Sequence, residues 1–225
     1  MRMHRVLVAM VVCVVVCAVV SPRAAAQIPS VSLSVTGGLA MPMGDFASTS
    51  STQAGGATTG FSAGLHLDIS LVPMLTVVGS FSYVSNGISE EYVEANTGGS
   101  YSGDVGSWTT IWPMVGIKYS AGLGPVATIY FTGQGGLVLG SSPDADLTSG
   151  GNQYSYKSFS SSAFAYGFGA GVKIGGKFFV EIKLLGAQPE YDLEFVASGP
   201  GFTSTFTGKY DQPTSIILLN AGISL

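Results

Sequence analysis

Residues 60–71 read GFSAGLHLDISL, and their alternation decides the fold class. Phe61, Ala63, Leu65, Leu67, Ile69 and Leu71 are apolar, whereas Ser62, Gly64, His66, Asp68 and Ser70 are small or polar. A period of two places the first set on one face of an extended strand and the second on the other.

The same pattern recurs along the chain. Before it, residues 31–41 alternate Val31, Leu33, Val35, Leu39 and Met41 against Ser32, Ser34, Thr36 and Gly38. After it, Val72-Pro73-Met74 is a tight connection to a third strand carrying Leu75, Val77, Phe81 and Tyr83. The fourth strand, residues 108–119, keeps Ile111, Val115 and Ile117 in phase, with Trp112 and Met114 making its other face bulky. The fifth covers 126–139, the sixth runs from about Ala163 to Ile174, the seventh opens at Phe178 after Gly175-Gly176-Lys177, and the eighth alternates from Ile217 to Leu225.

Three short turns and four long segments (44–58, 86–106, 140–160 and 187–211) therefore alternate between eight strands. Brief turns on one side and long loops on the other are the pattern of outer-membrane barrels, and about ten residues per strand suits a tilted membrane crossing. The expected fold is all-β, an eight-stranded antiparallel up-and-down transmembrane β-barrel with short periplasmic turns and long extracellular loops. A soluble sandwich would also alternate, but its polar faces would carry many charges, whereas here charges fall almost entirely in loops. Residues 187–212 also alternate around Ser198-Gly199-Pro200-Gly201. They are expected to prolong strands seven and eight as a projecting hairpin; a ten-stranded barrel is the alternative, disfavoured by Pro189 and two acids.

The N-terminus has Arg2, His4 and Arg5, an apolar run from Val6 to Val20, and Ala24-Ala25-Ala26 before Gln27. This layout predicts a signal peptide, residues 1–26, cleaved between Ala26 and Gln27, leaving a barrel domain over 27–225. The run is too short for a membrane helix of about 20 residues, and Val16 spoils a lipoprotein site at Cys17. Both cysteines and all three arginines fall in this segment. The remainder, with six lysines and thirteen carboxylates, has formal charge −7 against −4 for the whole chain, and forms no disulfide. With no basic cluster, nucleic acid is excluded as a partner.

Several local patterns resemble the outer membrane protein β-barrel domain family, which includes small eight-stranded barrels of the OmpX, OmpW and OmpA type. They are Met41-Pro42-Met43-Gly44-Asp45-Phe46 after the first strand, Ile111-Trp112-Pro113 and Gly116-Ile117-Lys118-Tyr119 in the fourth, and Gly133-Gln134-Gly135-Gly136 in the fifth. The motifs mark architecture, not activity. The resemblance implies a monomer in the outer membrane of a diderm bacterium, in contact with lipid and lipopolysaccharide and inserted by the assembly machinery. Leu225 departs from the family's usual aromatic terminus, although Leu219, Ile223 and Leu225 hold the apolar phase.

Parity predicts what fills the lumen, which eight strands leave just wide enough for side chains. Asp68, Glu181, Lys183 and His66 are expected to face one another as a polar cluster, because buried charges require partners. Independent hydration is the alternative. Lys118 and Lys173 lie beside turns and are expected to reach toward headgroups. Trp112 and Met114 are candidates for a constriction. No catalytic, cofactor or metal site is legible: His66 is the only histidine after residue 26, and no base accompanies a serine. The acidic loops match no defined calcium motif. The expected function is a non-enzymatic barrel with a structural or surface-interaction role, its long loops offering an extracellular ligand site; a narrow channel for small or hydrophobic solutes is the alternative.

Overall fold

The computed structural model describes residues 30–225; the expected signal peptide and its expected cleavage site between Ala26 and Gln27 lie outside the described residues. Eight strands close a barrel: β1 (Val31–Met43), β2 (Gly60–Val72), β3 (Leu75–Asn86), β5 (Trp108–Gly122), β6 (Ala127–Ser141), β9 (Ser160–Ile174), β10 (Phe178–Ala187) and β13 (Thr214–Ser224). Each pairs antiparallel with its neighbour, and β1 pairing β13 from Ser34–Ser224 to Met43–Ser215 completes the ring. Closure satisfies backbone groups that an open sheet would leave at its edges.

Side chains sort by the expected parity. Outward residues such as Leu65, Ile117, Phe131, Phe168 and Ile182 are 47–60% exposed, forming an apolar band around the wall, whereas Ser62, His66, Trp112, Glu181 and Leu218 point inward and are buried. Pro113 interrupts the β5–β6 ladder, where Ile111–Leu139 and Met114–Gly136 pair but nothing between them does.

The long segments are more ordered than their Gly/Ser-rich composition predicts. A five-stranded second sheet rises above the barrel, running from the 190–211 hairpin through the 145–156 hairpin to residues 102–105. Its strands are β4 (Ser102–Val105), the hairpin β7 (Ala145–Ser149) and β8 (Asn152–Tyr156), and the hairpin β11 (Glu190–Gly199) and β12 (Phe202–Asp211). The helix α1 (Glu90–Thr97) ends at Gly98, whose φ of 77° is the left-handed cap glycine favours. The 187–212 region thus projects as a hairpin and adds no barrel strand.

The β2–β3 turn carries Met74 at φ 74°, a left-handed conformation unfavourable for a residue with a Cβ. Met74→Gly is expected to raise stability by about 1 kcal/mol, read as a shift in the urea midpoint of unfolding from lipid; no shift would show the turn to be unstrained.

Candidate functional site

Going from the short-turn end upward, the lumen has three tiers. The lowest is a cavity of about 520 Å³ lined by Ser32, Ser34, Asp68, Lys118, Tyr130 and Lys173, among others. Lys118 is only 12% exposed: its Nζ lies 2.6 Å from Asp68 Oδ2 and 4.9 Å from the Tyr130 ring centre. The expectation that Lys118 reaches toward headgroups is therefore corrected. It points inward by parity and neutralises Asp68, which snorkelling would leave unpaired. Lys173 lines the same cavity.

The middle tier is polar. Glu181 and Lys183, both inward on β10, sit with Nζ 3.4 Å from Oε1 and with side chains 1% and 2% exposed. Ser62 Oγ donates to Asn220 Oδ1 at 2.6 Å, and Ser80 Oγ donates to Gln134 Oε1 at 3.2 Å. His66 is buried, its ring 6.1 Å from that of Phe179 on β10. Of the four residues expected to form a polar cluster, all inward in the lumen, Asp68 pairs directly with Lys118, Glu181 pairs with Lys183, and His66 meets β10 through Phe179. Among the described residues, no salt bridge joins β2 to β10 directly.

Above this lies an apolar layer. Trp112, Val138, Leu185, Ile216 and Leu218 are at most 1% exposed and Met114 6%, with Ala40, Val84 and Ala165 completing the fill. Small residues opposite make the space: a Cβ on Gly167 would come within 2.9 Å of Leu185 and 3.2 Å of Met114. Trp112 satisfies its indole by donating to Thr110 Oγ1 at 2.8 Å.

The layer continues upward as edge-to-face aromatics, Phe46 on Trp108 and Trp108 on Tyr191, each with centroids 5.5 Å apart. Trp108 donates to the Gly55 carbonyl at 2.9 Å and forms the floor of a second cavity of about 550 Å³. One wall is the ring-bearing face of the upper sheet, where Tyr156 and Phe195 centroids are 4.6 Å apart and Phe195 and Phe206 5.8 Å apart. Tyr92 on α1 forms part of the lining, its ring lying where a Cβ on Gly56 would be 2.4 Å away. No residue lines both cavities, and the apolar layer lies between them.

This upper cleft is absent from the sequence expectations as a unit. Its signals were present: Leu147 alternates with Asp146 and Thr148, Gly150-Gly151 marks a turn, and Tyr154 and Tyr156 are two apart. Among the described residues, no group of three or more His, Cys, Asp or Glu converges as a metal site.

No family model matches the chain, and no curated protein matches it in sequence. Among solved structures, it is similar to Ail, the attachment invasion locus protein of Yersinia pestis, at 16% identity over 88% of this chain and 100% of that chain, TM-score 0.47. It is also similar to a major outer membrane protein from Thermus thermophilus, at 13% identity over 87% and 98%, TM-score 0.47. A third is the outer membrane protein OprG from Pseudomonas aeruginosa, at 13% identity over 88% and 97%, TM-score 0.46.

Lys183→Met strips Glu181 of its ion-pair partner and is expected to destabilise the barrel by about 3–5 kcal/mol, with Glu181→Leu in the same chain recovering most of the loss. Urea unfolding of the three variants checks this; an unchanged single variant would show Glu181 to be solvated independently.

Proposed function

We propose that this chain is exported by its N-terminal signal, inserts as a monomer into the outer membrane of a diderm bacterium, and acts there as a closed, non-enzymatic barrel whose upper sheet meets an external ligand. The apolar band carries the membrane part of this reading. Soluble monomers rarely expose apolar patches beyond a few hundred Å², whereas here Val35, Leu65, Val115, Phe168 and Ile182 expose large side chains from five different barrel strands. Lipid and lipopolysaccharide are the surroundings such a wall requires, and the assembly machinery is the route by which a strand-built protein reaches them. The short-turn end then faces the periplasm, and the cleft above Trp108 faces outward.

One observation favours surface interaction over conduction. The fully buried Trp112, Leu185 and Leu218 lie in the apolar layer between the two cavities, and no residue lines both, which supports a lumen packed shut. In the competing channel reading, Trp112 and Met114 would have to move aside.

Single-channel recording of residues 27–225 refolded into planar bilayers is expected to show no conductance; reproducible, salt-dependent steps would overturn the sealed-barrel reading. Trp112→Ala with Met114→Ala is expected to admit ion flow, which would identify this layer as the seal. The intact mass of protein recovered from outer membranes is expected to correspond to a chain beginning at Gln27.

A further inference from the structure

We propose that the cleft between α1 and the upper sheet is a binding site for small organic cations, a reading that rests on the outward-facing sheet proposed above and specifies its ligand. Three independent features of the site converge on this chemistry.

The first is volume. At about 550 Å³, the cleft falls in the range that holds a small molecule. The second is the nature of the wall. Tyr92, Tyr156, Phe195, Phe206 and Tyr210 line it above the Trp108 floor, and the Phe195 ring lies within 30° of parallel to both Tyr156 and Phe206. Phe195 is covered on both sides by this stack, but Tyr156 and Phe206 at its two ends each keep one face free of Phe195, and the negative face of such a ring attracts a cation that has lost part of its hydration. Burial pushes the Tyr92, Tyr156 and Tyr210 phenols up, Tyr210 to about 12, so these rings are neutral at physiological pH.

The third feature is the charge of the rim. Asp144, Asp192 and Asp211 line the cleft and are exposed. The single lysine in its lining, Lys157, is already engaged by Glu194 Oε1 at 2.5 Å. Lys209 stands 4.0 Å from Asp192 but only 2.7 Å from Glu190, so it neutralises Asp192 incompletely. An anion entering here would face uncompensated carboxylates. A neutral apolar molecule would gain only the walls, whereas an organic cation uses both rim and walls.

The exposed character of the rim makes the test clean, because the informative substitutions lie outside any core. Phe206 is 57% exposed and the Asp192 side chain 61%, so Asp192→Asn and Phe206→Ala leave the barrel's packing intact. Benzyltrimethylammonium, with benzylsulfonate as the size-matched anion, is titrated by calorimetry into residues 27–225 in zwitterionic lipid nanodiscs. The expected result is saturable binding of the cation and none of the anion, with each substitution weakening the cation by about threefold or more. Equal binding of both probes, or cation binding unaffected by both substitutions, overturns the proposal. So does failure of the folded parent to bind the cation. In that case a silent bilayer recording of the same preparation leaves the sealed-barrel reading standing, whereas conductance steps would overturn that reading separately.

Discussion

Closure of the sheet is the constraint on which everything else depends. A strand with an apolar outer face cannot leave its amides and carbonyls unpaired in surroundings that offer no hydrogen bonds, and pairing β1 with β13 removes the last open edge. Once the ring is closed at eight strands, the lumen is only wide enough for side chains. Inward residues must therefore pack or pair, and the tiers of the interior follow: hydroxyls and ion pairs below, Trp112 and its neighbours above. Where two large groups would collide, glycine on the adjacent strand yields the room, as Gly171 does beneath Tyr130.

The barrel was legible in the sequence because its signal is simple. Inside and outside differ in polarity at every second residue, and the turns carry Pro73 or Gly175-Gly176. Strand ends were less so: β13 begins at Thr214, three residues before the alternation becomes apolar, because Thr214 and Ile216 are inward residues of the upper tier. Parity also identified which charges face inward without saying which would meet. Asp68 and Lys118 are fifty residues apart in sequence and on strands separated by β3, so their pairing depends on tilt and side-chain reach that alternation does not encode.

The upper sheet was harder to read for a related reason. Its strands β4, β7 and β8 are only four or five residues long, too short for periodicity to stand out from a Gly/Ser-rich background. The aromatic residues were visible individually; their convergence into one wall required the pairing of β8 with β11, in which Tyr156 lies opposite Phe195. The candidate site thus draws residues from all four long segments, which only the fold places side by side.

That arrangement has a consequence for how the molecule is made. The upper sheet draws β4, the β7–β8 hairpin and the β11–β12 hairpin from three different excursions, and none of these pieces is large enough to be stable alone. Bringing them together from the free chain would carry the entropy cost of closing long loops; a finished barrel has already closed those loops and holds their roots in a fixed order. Assembly of the upper sheet on a wall already closed would avoid most of that cost. The β7–β8 hairpin is the sheet's keystone, since without it β4 and β11 have no strand in common.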